Sequence, residues 1–406
     1  MNDVLMIAYH YPPEGSSSGV LRTLKFSKYL PTFGWRAHVL TLKEECYLRK
    51  DEELARDIPS NAVVHRTAAL DPRLCFSLPD RFAGWVPIGV LHGKRLSRRE
   101  RIDAIFSTSP FPSAHLIALL LKRSLKRPWV ADFRDPWVED GAWPRPGSLR
   151  YRIESFLEKR VLWAADWITV TTDGLKEHLL RRCPEISAEK IVVIENGFDE
   201  EDFRDVEKKY EPEACRLIIL HAGMVTPEYR DPFPLLEALA NLVRAGKIAR
   251  GAVTVRFLGG GRYPESAGFT ARVEDLGLRD CVDVQTRVSY RQCLASLCQA
   301  DALLLLQDSD DTRHLVPAKA YEYLRAARPI LALTTQGATA ELIRRSGRGY
   351  LVDPGNRSQI EATLLTLMAS KANGGRVSDL PDIDLRRYER RELTARLAGL
   401  LAAAKT

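Results

Sequence analysis

The chain has 406 residues, too many for one hydrophobic core and suited to two domains of ordinary size. Its hydrophobic fraction of 45% and charged fraction of 28% are those of a folded globular protein, which excludes disordered and fibrous classes. A net charge of +7 over this length falls short of the concentrated basic stripe of a nucleic-acid binder, so nucleic acid is not an expected partner, while anionic lipid and phosphorylated substrates stay open.

Val4 to Ala8 is an apolar run followed by polar Tyr9 and His10. It lacks a basic leader and a long apolar stretch, and reads as a first strand with no export signal. The loop Tyr11 to Gly19 then runs into a helix over Val20 to Phe33 that carries Arg22, an arrangement able to cradle a phosphate or to be a plain flexible loop. Neither GxGxxG nor GxxxxGK[ST] occurs, so dinucleotide and P-loop readings lose their usual support. After a strand over Arg36 to Thr41, the stretch Leu74 to Arg101 sets Phe76, Leu78, Phe82, Trp85, Val86, Ile88, Val90 and Leu91 before Lys94, Arg95, Arg98, Arg99 and Arg101. That pairing fits interfacial docking or a lipid-diphosphate acceptor, and equally a core-facing helix with a solvated end.

Strands follow at Ala104 to Thr108, Trp129 to Asp132, Trp167 to Thr171 and Ile191 to Ile194. Asp132, Arg134 and Asp135 cluster at the end of the second of these, where opposite charges can tune a base, orient a hydroxyl, or merely form a salt bridge. Asn196-Gly197 reads as a turn with positive φ. Between Asp199 and Arg216 the chain becomes highly charged and loses periodicity, the composition of a linker. We therefore place one doubly wound α/β domain at 1–205 and a second at 206–385, with a C-terminal helix at 386–406 that can pack on either.

The second domain's strands are expected at Arg216 to His221, Val253 to Leu258, Val282 to Gln285, Ala302 to Leu306, Ile330 to Leu333 and Gly349 to Val352. Gly259, Gly260 and Gly261 after one strand allow close backbone approach to a ligand. Pro317 opens a helix whose free N–H groups suit a diphosphate; Lys319 adds charge, and Glu322 one turn on is placed for vicinal hydroxyls. An ordinary exposed Lys/Glu helix face is the other reading. Seven scattered cysteines with no CxxC pair argue for a reducing compartment, no disulfide framework and no metal cluster. Apolar runs such as Leu116 to Leu121 are far short of the roughly 20 residues that cross a bilayer, so membrane contact would be peripheral.

Taken in order, these segments resemble the GT-B glycosyltransferases of family 4, the retaining group. The resemblance rests on Pro12-Pro13 and Gly15 to Gly19, Ala165-Asp166 before Thr171-Thr172, Val193 to Asp199, Gly223, Gly259 to Gly261, and Ala300-Asp301 before Leu303 to Leu306. It implies two Rossmann-like domains, a nucleotide-diphosphate sugar as co-substrate, no metal requirement, and hexosyl or deoxyhexosyl transfer to a glycan or lipid-linked acceptor in surface polysaccharide synthesis. It also implies a cytoplasmic protein, at the inner face of the membrane where contact occurs.

Within the family's E-x7-E pattern, Glu322 takes the ribose position and His314 stands where the first Glu belongs. In the G-R-x4-K pattern Met224 replaces the Arg and Arg230 occupies the second cationic position. The resemblance assigns diphosphate contacts to Ala318 and Lys319, leaving-group charge to Arg230 and Lys319, and base contacts to Thr286, Arg287 and Val288. It further assigns donor contacts to Gly15, Gly19, Gly223, Gly259 and Gly260, and a sugar-facing role to Arg134 flanked by Asp132 and Asp135. The replacements at His314 and Met224 keep two alternatives in view: a nucleotide-sugar epimerase and a non-catalytic partner subunit.

Overall fold

A computed structural model describes residues 1–70, 78–139, 144–204, 206, 216–309, 312–372, 381 and 383–404. The chain forms two compact units, Met1–Gly197 with Arg386–Thr406, and Phe198–Leu385. The division thus falls at Gly197, ahead of the charged segment in which the sequence places it, and most of that segment (205 and 207–215) lies outside the described residues.

The first unit runs β1 (Asn2–Ile7), α1 (Gly19–Tyr29), β2 (Trp35–Leu42), α2 (Glu52–Arg56), β3 (Val63–Thr67), α3 (Trp85–Arg99), β4 (Ala104–Thr108), α4 (Ser113–Leu125), β5 (Trp129–Phe133), α5 (Leu149–Ala164), β6 (Trp167–Val170), α6 (Asp173–Arg182) and β7 (Ile191–Val193). Among the described residues its strands form one parallel sheet in the order β3-β2-β1-β4-β5-β6-β7. The strand order reverses between β1 and β4, the point where open sheets bind ligands beyond their carboxyl ends. β1, β4 and β5 are enclosed on both faces, which is why they read as continuous apolar runs.

The second unit runs α7 (Glu200–Phe203), β8 (Leu217–Ala222), α8 (Phe233–Arg244), β9 (Val253–Leu258), α9 (Ala267–Asp275), β10 (Val282–Gln285), α10 (Tyr290–Gln299), β11 (Ala302–Leu306), α11 (Ala318–Ala326), β12 (Ile330–Leu333), α12 (Ala338–Ser346), β13 (Gly349–Val352) and α13 (Arg357–Ala372). Its parallel sheet has the order β10-β9-β8-β11-β12-β13 and reverses between β8 and β11.

The C-terminal helix α14 (Arg390–Ala403) returns to the first unit and packs on α1. Both oxygens of Glu195 are held, by Arg387 and Arg396 at 2.7 Å each. Asn196 and Gly197 do not adopt the positive φ expected of an Asn-Gly turn. Gly197 is small for another reason: a Cβ there would run into the Tyr388 carbonyl and Leu393 of the returning segment.

Of the apolar stretch before α3, Leu74 and Phe76 lie outside the described residues. Phe82 and Trp85 are buried in the core, with Val86 and Val90 packed against it, so α3 turns most of this apolar set inward.

Six histidines, His10, His38, His65, His92, His115 and His221, are held below their ordinary pKa, in each case chiefly by burial. His115 is fully enclosed and pushed down to about 4, and His65, stacked on His38 and tilted against His92 with ring centroids 5.7 and 5.6 Å away, falls to about 4 as well. The unfolded chain takes up these protons near pH 6.5 while the folded one resists, so stability drops as pH falls from about 6.5 toward 4. Thermal melts across that range should show a steady loss of Tm, and His115→Gln should flatten the slope; a flat profile between pH 7 and 4 would contradict it.

Candidate active site

In the second unit the loops after β8, β9, β10 and β11 meet at the strand reversal. Gly223 donates its N–H to the Leu258 carbonyl, Val225 to Gly260, and Gly259 to Gln285. Gly223, Gly259 and Gly261 have φ of +95°, +66° and +81°, backbone that only glycine adopts without strain. Gly259 lies against Arg287, so the loop 286–288, to which the resemblance assigns base contacts, is seated on the glycine turn. A Cβ on Gly260 would press into Pro264, which gives that glycine a packing reason.

α11 supplies Lys319 and Glu322. Pro317 stands at its N-cap, no side chain caps it, and no acidic residue sits in its first turn, so the N–H groups of Ala318 and Lys319 are left for another partner. The Lys319 Nζ donates to the Ala222 carbonyl at 2.8 Å and to His221 Nε2 at 3.0 Å. The tautomer of His221 follows, since its Nδ1 lies 2.9 Å from the Leu304 carbonyl and must carry the proton. His221 is fully enclosed and held neutral by burial and by the neighbouring Lys319 charge. The ammonium is itself pushed well below its ordinary pKa, first by burial and then by Arg230.

Arg230 donates to the Met224 carbonyl at 3.3 Å, stacks over Tyr229, and is depressed by burial. Among the described residues neither Lys319 nor Arg230 forms a salt bridge. Two cations beside an uncapped helix start, with no carboxylate neutralising them, make a site for a polyanion. Glu322, 8% exposed, accepts from the Tyr290 hydroxyl at 2.9 Å, and Cys293 beside it is pushed up to about 12 by burial and by the Glu322 charge. Tyr323 is enclosed one residue on, and its hydroxyl accepts the Ala222 N–H at 2.9 Å.

His314 lies in the loop ahead of α11. Gln307 holds this loop through the carbonyls of Thr312 and Leu315 (2.6 and 3.1 Å), and Thr339 bonds both Gln307 and Leu315. A small polar pocket opens at the ends of β11 and β12, lined by Gln307, Asp308, Ser309, Arg313, Thr334, Thr335 and Gln336.

The remaining candidates lie in the first unit. Asp132 is fully buried, paired with Arg22 at 2.7 Å and accepting from Thr108 (2.7 Å) and Thr169 (2.6 Å). With both oxygens bonded inside the protein, it holds strand ends together and does not face a substrate. Arg22 likewise is 1% exposed and engaged by Asp132, Ile194 and Glu195, so it is not the phosphate ligand that its position in the loop-helix invites.

Arg134 directly follows β5 and is half-buried. Its guanidinium lies over Gly19, where a Cβ would collide with it, and donates to the Gly19 carbonyl at 3.2 Å. Asp135 is half-buried beside it and acts electrostatically on both Arg134 and His10. Gly15 is packed against the backbone of Lys50 and Asp51, which accounts for the missing side chain without a ligand. Sequence reasoning passed over His10, whose Nδ1 meets buried Glu14 at 2.6 Å, and over His221, Tyr290 and Tyr323. The only signal in the sequence was a histidine closing an apolar strand in each unit.

Family models of glycosyltransferase family 4 and of glycosyl transferases group 1 match residues 20–202 and 216–370. The chain belongs to the GT-B glycosyltransferases of family 4, group 1. No curated protein matches it by sequence. Similar solved structures include Anabaena HepE in complex with UDP (15% identity, TM-score 0.66, covering 99% of this chain and 100% of that one). A glycosyltransferase from Rickettsia africae gives 16% and 0.63, covering 99% and 96%. The UDP-GlcNAc 2-epimerase of Methanocaldococcus jannaschii gives 13% and 0.60, covering 99% and 100%. At these identities the structures establish a shared fold, common to transferases and an epimerase.

In this glycosyltransferase Gly19 is the space that lets Arg134 take its position. Gly19→Ala should displace the guanidinium and lower transfer activity about as much as Arg134→Ala, with little change in Tm; full activity in the Gly19 variant would remove Arg134 from the working site.

Proposed function

We propose that this glycosyltransferase is a retaining enzyme that takes its sugar from a nucleoside-diphosphate donor bound in the second unit. The carrying observation is the pair of uncompensated cations, Lys319 and Arg230, at the uncapped start of α11. In the proposed step the bond from the sugar's anomeric carbon to the diphosphate oxygen breaks, and its electrons stay on the diphosphate. Lys319 and Arg230 stabilise that charge, the largest single term expected in such a transfer. The acceptor oxygen bonds the anomeric carbon from the same face, and its proton passes to the departing phosphate. No metal enters the proposed step.

Glu322, oriented by Tyr290, accepts from the ribose hydroxyls, and the segment 286–288 meets the base. The uridine diphosphate in the HepE structure makes UDP-sugars the first donors to test. The acceptor in this reading is a glycan or lipid-linked saccharide of surface polysaccharide or glycoconjugate synthesis, met on the cytoplasmic side of a membrane. His314 stands where the family pattern has a sugar-binding Glu, so donor consumption without acceptor, the mark of an epimerase, is the outcome that would redirect the assignment.

Thermal shift with a panel of UDP-, GDP-, dTDP- and ADP-sugars tests the reading. One nucleotide should raise stability by about 2.7 kcal/mol at a hundredfold excess over its Kd, and Glu322→Ala should lose most of that shift. An unchanged shift in the variant would remove Glu322 from the donor site. Because the free Lys319 is depressed and a bound diphosphate favours its charged form, affinity should fall as pH rises through the free Lys319 pKa, and Lys319→Met should abolish this dependence.

A further inference from the structure

The helices α3, α4 and α5 lie side by side on one face of the first unit's sheet. Gly89 and Gly93 draw α3 close to α4: a Cβ at either would press into Ile117 or Leu121. The outer surfaces of the two helices are therefore continuous. What those surfaces carry is unusual in two ways.

First, large apolar side chains point outward. On α5, Leu149, Phe156 and Trp163 recur every seven residues and are 72%, 60% and 50% exposed. Leu91 on α3 is 56% exposed and Leu120 on α4 41%. A soluble surface seldom gathers such residues on neighbouring elements without a partner.

Second, the charge is of one sign. α3 and α4 contain no acidic residue at all. α5 has only Glu154 and Glu158, both buried and paired with Arg150 (2.6 Å) and Arg182 (2.8 Å). The flanking acids Glu100 and Asp166 are engaged by Arg36 and Lys122. The outward charges are cationic: Arg95 and Arg98 on α3, Arg123 on α4, and Arg152 and Arg160 interleaved with the apolar residues of α5.

We infer that this three-helix face is the surface by which the enzyme docks on an anionic bilayer. An anionic membrane offers headgroup charge and an apolar layer in one plane, and Trp and Arg side chains bridge the two. A second copy is a poor occupant, since a self-complementary contact would set cation against cation. The inference locates the peripheral contact on α5 as well as α3, and it rests on the proposed lipid-linked acceptor only for its biological use.

Flotation of the full chain with phosphatidylcholine vesicles, with and without phosphatidylglycerol, tests it. The protein should float only with the anionic vesicles, and added salt should release it. Phe156→Ser with Trp163→Ser, and separately Arg152→Glu with Arg160→Glu, should each weaken partition by about tenfold or more. Every variant should melt like the wild type and keep its nucleotide-induced shift, which isolates docking from donor binding. Unchanged flotation in both pairs would overturn the assignment, as would a wild type that ignores vesicles but loses a dimer in the Phe156 and Trp163 variant. Failure of docking with an intact nucleotide shift would leave the proposed donor chemistry standing.

Discussion

The first unit depends on the buried pair between Arg22 and Asp132. Arg22 leaves α1 and reaches across the sheet edge to Asp132 on β5 and to the carbonyls of Ile194 and Glu195 after β7. Asp132 accepts in turn from Thr108 on β4 and Thr169 on β6. Four strand ends and a helix are locked by one guanidinium and one carboxylate. Burial works against the ionised Asp132, yet the Arg22 charge and the hydrogen bonds hold its pKa below the usual carboxylate range. Breaking such a pair from one side costs about 3–5 kcal/mol because it strands the other charge.

That lock has a consequence for chemistry. By consuming Arg22 and Asp132 it leaves Arg134 as the cation presented at the end of β5, resting on Gly19 at the start of α1. The segment after β7 is fixed on its other side by the returning C-terminal helix through Glu195. The last residues of the chain thus brace the same edge that the first helix organises.

The second unit uses charge in the opposite manner. Where Arg22 and Asp132 cancel, Lys319 and Arg230 are half-buried and without a salt-bridge partner among the described residues; burial depresses both, and the Arg230 charge adds to the depression of Lys319. His221 holds the Lys319 ammonium in place as a neutral acceptor, which positions the charge without neutralising it. An arrangement that is costly when empty and relieved by an anion is preorganised for that anion. The glycines at positive φ after β8 and β9 keep side chains out of the same space.

The sequence by itself determined the alternation of strands and helices, because a parallel sheet covered on both faces needs continuous apolar runs: β4, β9, β10, β11, β12 and β13 fall at the predicted residues. It missed β3, an edge strand whose Val-Val-His-Arg-Thr run is only partly buried and so lacks that signal. It also located the loops at the strand reversals and the Lys319 and Glu322 pair, since one helical turn fixes their relation. Only the tertiary structure decided which charges are used up and which remain available. Asp132, Arg22 and Arg134 look alike as a list of ionisable residues, and long-range pairing alone separates the two that are locked together from the half-buried Arg134. The same holds for α3, where Trp85, Val86 and Val90 pack inward while Leu91 does not, and for α5, where Phe156 and Trp163 face outward although nothing in their spacing says which side of the helix the core will occupy. Burial belongs to the packed chain, and periodicity along the sequence cannot name the face that receives it.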